Sequence, residues 1–319
     1  SAISPDPTDR ASLSTWRSVG ASLASLVIGT GTPLVAYVTV DGNPVLSGSR
    51  MTIIAGVFSV LAVICYLLCY NLVRERVPVP ANNQKLDIVA LGKSLITNRA
   101  LLGIIAAALL LLLAMLGMQG MSAYVFPNVY RSTQAQSVVA LLSNVAIIAI
   151  CAPLASKLAS KFGKKELATV SCLFGAASYV VCLILHPENV WVYVIFYVMS
   201  FVGLGFFNTI IWAMITDVID DAEVKNGIRE DGTIYAVYSF ARKLGQAFSS
   251  GMVGLLSLAG YTAATAFEPA VTESIFRISC IVPIVGLTAV ALALIFIYPL
   301  SKKRVEENCA ELARRREEK

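Results

Sequence analysis

The stretch LLGIIAAALLLLLAMLGMQGMSAYVFP, residues 101–127, decides the class of fold. It contains no charged side chain over its whole length. A helix rises about 1.5 Å per residue, so about 20 apolar residues cross the roughly 30 Å hydrocarbon core of a bilayer. The stretch is therefore predicted to form a helix that spans a membrane.

Further apolar segments of similar length lie on both sides of this stretch, and short polar connections separate them. The whole sequence is 57% hydrophobic and 14% charged, with a mean hydropathy of +0.73, whereas soluble domains carry about 25% charged residues. We therefore expect an all-α membrane protein with about eight transmembrane helices. The other predicted segments are 18–40, 51–73, 137–155, 167–185, 190–216, 234–258 and 275–299.

Basic residues are distributed unevenly between alternate connections. One set of connections holds 20 of the 25 Lys and Arg residues, and the opposite set holds Arg50, Arg131 and Arg277. Basic loops stay on the cytoplasmic side of a membrane. Both termini are therefore expected to be cytoplasmic in a multi-pass protein of the cell (inner) membrane.

The longest connection divides the sequence into two groups of helices. It contains Pro78 and Pro80, followed by an amphipathic stretch that suggests a short surface helix. We expect the rest of an N-terminal bundle with two transmembrane helices at 1–73, a cytoplasmic linker at 74–100, a C-terminal six-helix bundle at 101–299 and a cytoplasmic tail at 300–319. The charged tail is interpreted as a solvated terminus rather than a surface helix.

Two adjacent cations, Arg242 and Lys243, lie inside the seventh apolar segment. Lys243 follows Ile234 by nine residues, which puts it about 14 Å deep in a helix that starts at the membrane surface. A cation at the bilayer centre costs at least about 2.5–3.5 kcal/mol, so it needs a watery cavity or a carboxylate. The alternative is a helix that starts later, with both side chains snorkelling to the surface.

Polar side chains follow one face of the same predicted helix. Tyr235, Ser239, Lys243 and Gln246 recur at spacings of four, four and three, which brings them onto one side. Sugars need hydrogen-bond donors and acceptors, and their rings stack on aromatic side chains. The pattern therefore predicts a sugar-binding cavity, with Tyr238 and Arg242 beside it.

The segment from Asp217 to Lys243 resembles the glycoside–pentoside–hexuronide cation symporter family, to which melibiose permease belongs, within the major facilitator superfamily. Asp221 departs from the family pattern, which more often has an aromatic residue there, and we expect it in a loop. Segments 5–18 and 158–167 also resemble connections of this family. The matching residues are Asp217, Asp220, Glu223, Lys225, Gly227, Arg229, Gly232, Tyr235 and Lys243.

The resemblance implies a twelve-helix bundle of which this chain matches helices five to twelve, with the N-terminal four helices missing. It implies cation-coupled symport of a sugar by alternating access, with Na⁺ or H⁺ as the coupling cation and no cofactor. The cation-binding carboxylates would lie on the missing helices, so no metal ligand is expected in this chain. Substrate contacts are expected at Arg17, Trp212, Tyr238, Ser239, Arg242 and Lys243.

Charged residues on either side of the loop before the seventh segment predict a cytoplasmic gate. The expected gate residues are Asp217, Asp220, Glu223 and Arg229, with the acidic ones ending the sixth helix and Lys225 and Arg229 in the loop. Asp217 and Asp220 are expected to pair with Arg229 or with the basic connection 157–165. We expect the Arg229→Glu exchange to favour the inward-open state.

The sequence is also compatible with other functions. One is symport of a non-sugar solute such as a lysolipid or an organic anion, and another is a membrane receptor or scaffold that does not transport. An enzyme is not expected, because the sequence shows no nucleophile–base pair or metal-ligand set. The expected partners are a small sugar, the coupling cation and the lipid bilayer, without nucleic acid, and the protein is expected to be a monomer.

Overall fold

A computed structural model describes residues 7–40, 42–73, 98–227, 231–252, 254–258 and 260–317. Helices make up most of this part of the chain, and two π-helical turns, Val125–Val129 and Ile147–Cys151, continue α3 and α4. The helices are α1 (Pro7–Ala36), α2 (Gly48–Leu72), α3 (Arg99–Tyr124), α4 (Thr133–Ala146), α5 (Ala152–Phe162), α6 (Lys164–Leu185), α7 (Val190–Asn226), α8 (Asp231–Met252), α9 (Leu255–Leu258), α10 (Pro269–Phe296) and α11 (Lys302–Glu317).

In the part of the chain that the structure describes, six helices are long and apolar enough to cross a membrane. The predicted first and seventh segments are helical as well, but they do not reach the same apolarity over 18 residues. In α1 the apolar part is Leu23–Ala36, and α8 has a polar face along one side. The six spans are Gly48–Leu72, Arg99–Val129, Thr133–Phe162, Lys164–Leu185, Val190–Asn226 and Pro269–Phe296.

The first predicted segment, 18–40, is not helical to its end. After α1 ends at Ala36, strand β1 (Tyr37–Val40) pairs antiparallel with strand β2 (Asn43–Leu46). Gly42 in the turn has a φ of 78°, a conformation that glycine adopts without steric cost. The β-branched residues at 38–40 favour extended backbone in β1. The expected polar connection 41–50 contains the strand β2 that pairs with it.

The chain divides into two units. The first comprises residues 1–86 and 131–144. Within it, the Arg50 guanidinium donates hydrogen bonds to the carbonyls of Val35 and Tyr37, at 3.2 and 3.3 Å, which ties the start of α2 to the end of α1. Helix α2 buries none of its side chains.

The second unit comprises residues 87–130 and 145–319. Helix α10 packs against both α3 and α6, α7 packs against α6, and α3 packs against α8. Small residues permit these close approaches. A side chain at Gly203 of α7 would meet the Ser171 carbonyl and the Gly175 backbone of α6.

Because no space exists at this crossing, the Gly203→Leu exchange is expected to prevent normal packing of α6 against α7. We expect a severalfold lower yield of folded protein, measured by size-exclusion chromatography after detergent extraction. The Gly56→Leu exchange is the matched control, because nothing lies within 4 Å of a Cβ at Gly56 of α2. Equal yields for the two variants would contradict the assigned packing.

Helix α7 extends ten residues beyond the predicted end of the sixth segment at 216. It ends at Asn226, and Gly227, with a φ of 71°, donates its N–H to the Glu223 carbonyl. This left-handed glycine is a common helix C-cap. Lys225 therefore belongs to the helix, whereas it was expected in the loop.

The C-terminal tail, expected to be a solvated terminus, forms helix α11 instead. Asn308 and Leu312 are buried at 4% and 5% exposure, and α11 packs against α7. These two residues are four positions apart, so one face of an otherwise charged helix is buried. Residues 74–97, most of the predicted linker, lie outside the described residues, and the predicted domain boundaries stay a prediction.

Candidate functional site

Three aromatic side chains of helices α7 and α8 lie together in the second unit: Trp212, Tyr235 and Tyr238. The Tyr238 ring meets the Trp212 ring edge-on, with centroids 5.2 Å apart. The Tyr235 ring is stacked against the Trp212 ring, with centroids 6.4 Å apart and an interplanar angle of 27°. Together with Arg242, these residues form a cluster that we call the aromatic site.

Arg242 lies against both neighbouring rings of the aromatic site. Its guanidinium carbon is 5.6 Å from the centre of the Trp212 ring and 5.8 Å from that of Tyr238. Its Nη1 donates a hydrogen bond of 3.1 Å to the Tyr238 hydroxyl. Because a guanidinium has five donors, this arrangement orients Arg242 while most of its donors remain for a ligand.

The exposure of the aromatic site differs from one side chain to the next. Tyr238 is fully buried, whereas Trp212 is 47% exposed and Tyr235 is 37% exposed in the structure. A buried tyrosine thus anchors the arginine, and the tryptophan presents one side outward. Such a surface can stack on the apolar face of a sugar ring while the arginine binds an oxygen.

Lys243 and Ser239 lie on a different side of α8 from Tyr238. Both are exposed, and the Lys243 ammonium donates a hydrogen bond of 3.2 Å to Gln246 Oε1. Since α8 begins at Asp231, Lys243 is about 18 Å from the described helix start at 1.5 Å per residue. The predicted polar face therefore exists, and its role in a cavity stays a prediction.

Arg17, the remaining predicted substrate residue, lies in α1. Its side chain is outside the described part of the structure. Its predicted contact with the substrate therefore stays a prediction.

The acidic end of α7 forms ion pairs within the second unit. Lys164 Nζ at the start of α6 is 2.6 Å from Asp217 Oδ1, so Asp217 pairs with the basic connection, one of its two predicted partners. Asp217 is only 5% exposed, and its buried Oδ2 has no hydrogen-bond partner among the described residues. The pair therefore holds α6 and α7 together around a half-satisfied carboxylate.

Asp221 was expected in a loop, but it is fully buried inside α7. Lys225 Nζ is 2.5 Å from its Oδ2, and Asn308 Nδ2 of α11 donates a hydrogen bond of 3.1 Å to its Oδ1. The spacing of four residues between Asp221 and Lys225 could have predicted the first contact. No signal in the sequence pointed to Asn308, because its position depends on the fold of the tail.

Tyr298 lies close to the two buried carboxylates, just beyond the end of α10. Its buried hydroxyl donates a hydrogen bond of 3.4 Å to the Met214 carbonyl. Burial raises the pKa of Tyr298, and the charges of Asp217 and Asp221 raise it further. Tyr298 is therefore a neutral hydrogen-bond donor at this end of the unit.

The remaining predicted gate residues are only partly described. Asp220 and Glu223 lie on the last turns of α7 and are half-buried, whereas Arg229 lies outside the described residues. The gate itself therefore stays a prediction.

Within the described ranges, no group of three or more His, Cys, Asp or Glu residues is placed to hold a metal ion.

Comparison with known proteins identifies the family. Residues 1–302 match the family described as MFS/sugar transport protein. The chain belongs to this family and is a multi-pass, helical membrane protein of the major facilitator type.

Three relatives cover nearly the whole chain. The uncharacterized symporter YjmB of Bacillus subtilis (strain 168) is 28% identical over 313 residues, which is 95% of this chain and 65% of the relative. The glucuronide carrier protein homolog of Escherichia coli (strain K12) is 26% identical over 316 residues, or 99% and 68%. The isoprimeverose transporter of Lactiplantibacillus pentosus is 26% identical over 323 residues, or 96% and 66%. The chain thus spans about two thirds of the length of these curated relatives.

Proposed function

We propose that the protein is a secondary active transporter that carries a sugar or glycoside together with Na⁺ or H⁺ by alternating access. The observation that carries this proposal is the aromatic site, in which Trp212 and Tyr238 orient Arg242. Aromatic rings favour the C–H face of a sugar, and a fixed guanidinium binds two ligand oxygens at once. A membrane scaffold without a ligand has no need of such an arrangement.

Family membership supports transport of a sugar-like solute. The name of one relative specifies glucuronides and that of another isoprimeverose. A lysolipid would favour a more apolar surface than the aromatic site and the neighbouring polar face of α8 provide.

The finer family assignment is part of the proposal. In it, the chain corresponds to helices five to twelve of a glycoside–pentoside–hexuronide symporter, with eight crossings and both termini cytoplasmic in the inner membrane. Arg17 is included as a substrate contact on the family resemblance alone. The cation-binding carboxylates would belong to helices outside this chain, and Lys243 would interact with them less strongly once a cation is bound.

Alternating access follows from this arrangement without any covalent chemistry. Two bundles would rock around a site near the bilayer midplane. Binding of the cation and the sugar together would permit reorientation, which couples the two movements.

A second candidate is symport of an organic anion, including an anionic sugar. Arg242 and Lys243 put two cations on one turn of α8, and Arg242 makes a single hydrogen bond to the described residues. A carboxylate could accept bidentate hydrogen bonds from Arg242. The glucuronide carrier homolog is a relative whose named solute carries such a group.

Uptake into proteoliposomes tests both candidates with one matched pair of solutes. Methyl glucoside and methyl glucuronide differ in a carboxylate, and uptake of each is measured with a Na⁺ gradient, a proton gradient or none. Gradient-driven uptake of the glucoside supports sugar symport, and uptake of the glucuronide alone supports anion symport. Uptake of neither by the folded full-length protein would contradict the proposal.

Trp212→Ala probes the site itself. Loss of the ring removes both the stacking surface and the partner of Arg242, so the concentration for half-maximal uptake should rise about tenfold. Trp191→Ala is the matched control, because Trp191 lies on the same helix and is 46% exposed, as against 47% for Trp212. Equal effects of the two exchanges would exclude the aromatic site as the binding surface.

A further inference from the structure

A cavity of about 410 Å³ lies between the end of α7 and the start of α11. It shares no residue with the aromatic site, and all of its lining belongs to the second unit. Its volume is within the range of small-ligand sites. The lining residues are Asp221, Lys225, Pro299, Leu300, Ser301, Lys303, Arg304 and Glu307.

The cavity is basic at its surface. Lys225, Lys303 and Arg304 contribute three cations. Lys225 is bonded to the buried Asp221, and Lys303 lies 4.0 Å from Glu307, so each of these cations is offset by a carboxylate. The lining therefore keeps one net positive charge, that of Arg304.

Arg304 is the side chain best placed to bind an anion. It is 50% exposed, and its Nε is 4.0 Å from Asp221 Oδ1, which is too long for a hydrogen bond. Among the described residues, Arg304 makes no hydrogen bond. Its planar set of donors matches the geometry of two phosphate oxygens.

The cavity lies next to the end of an apolar membrane span. Helix α10 ends at Phe296, three residues before Pro299 in the cavity wall, and Phe296 is 67% exposed. The polar headgroup region adds only about 5–8 Å to each side of the hydrocarbon core. A cavity this close to the last apolar turn is expected at the level of lipid headgroups.

We propose that this cavity binds the phosphate of an anionic phospholipid headgroup, with Arg304 and Lys303 as its principal contacts. A soluble phosphate ester has the same binding group, but the exposed apolar end of α10 also offers a surface for acyl chains. Basic pockets at the membrane surface bind anionic lipids by this combination. The proposal does not depend on what the protein transports.

Native mass spectrometry of the full-length protein in detergent tests the proposal. Phosphatidylglycerol and phosphatidylcholine with the same acyl chains are added in equal amounts. The number of molecules of each lipid that stay bound to the protein is measured. We expect phosphatidylglycerol to be retained severalfold better. Lys303→Gln and Arg304→Gln should each lower this preference by about fivefold, as expected for loss of one cation near a membrane surface.

Arg314→Gln is the matched control, because Arg314 lies on the same helix, is exposed and does not line the cavity. It should leave the lipid preference unchanged. Lys303→Gln serves where Arg304→Gln fails to fold, because Lys303 is 87% exposed and forms no close contact with Asp221. A melting temperature measured without added lipid confirms that each variant is folded.

Two results would overturn the proposal. One is an unchanged preference for phosphatidylglycerol in folded Lys303→Gln and Arg304→Gln proteins. The other is binding of millimolar glycerol 3-phosphate to a protein that retains phosphatidylglycerol no better than phosphatidylcholine, which would show that the cavity binds soluble phosphate esters instead. Failure of sugar uptake would leave this lipid result intact, so the two proposals are tested separately.

Discussion

Replacement of Lys243 by alanine is expected to abolish uphill accumulation of the transported solute while the protein remains folded. Lys243 is exposed in its unit and is hydrogen-bonded to Gln246, so its removal costs little packing. In the proposed eight-crossing arrangement α8 spans the membrane, where a cation this far along the helix is expensive, and we expect Lys243 to face the cavity and the coupling site. Loss of its charge should therefore uncouple the solute from the cation gradient.

The measurement is uptake in vesicles with an imposed cation gradient, together with exchange of solute at equilibrium. Gln246→Ala is the control, because it removes the hydrogen-bond partner of Lys243 and keeps the charge. We expect near-normal accumulation for Gln246→Ala and only equilibration for Lys243→Ala. Full accumulation by Lys243→Ala would show that the side chain snorkels to the membrane surface instead.

The second large effect is expected at the ion pair between Lys164 and Asp217. Lys164→Met leaves an almost buried carboxylate without its partner, and one of its oxygens already lacks a hydrogen bond. Removal of one member of a buried pair costs about 3–5 kcal/mol, and because Lys164 is 32% exposed we expect about 2 kcal/mol. Thermal unfolding in detergent measures the loss.

The double exchange Lys164→Met with Asp217→Leu should recover most of the lost stability, because two apolar side chains often replace an ion pair without cost. Because Asp217 is also a predicted gate residue, cysteine accessibility from each side of the membrane is measured in the same variants. Altered accessibility, with little change in stability, would instead show that this pair is part of the gate.

The location of each membrane helix could be predicted more accurately than the residues at which the helix ends. The charge-free stretch 101–127 corresponds to α3 and its π-helical turn, because apolar length is a direct consequence of bilayer thickness. Hydropathy reports where the apolar region stops, not where the helix stops. Helix α7 continues past residue 216 through a segment that includes the strong helix formers Ala222, Glu223 and Lys225.

The candidate site could be predicted only in part. The four-residue spacing of Tyr238 and Arg242 on α8 is readable in the sequence. Their contact with Trp212 depends on the register of α7 against α8, which no single sequence contains. The burial of Asp221 could not be predicted for the same reason, since it depends on how α11 packs against α7.

The length of α7 has a consequence for measuring motion. Its 37 residues extend about 55 Å at 1.5 Å per residue, well beyond a hydrocarbon core of about 30 Å. If α7 tilts as one rigid rod by about 10° around its start, its far end is displaced by roughly 10 Å. Asn226 is exposed at that end, so a spin label there would move about 1.6 times as far as one at Trp212 for the same tilt.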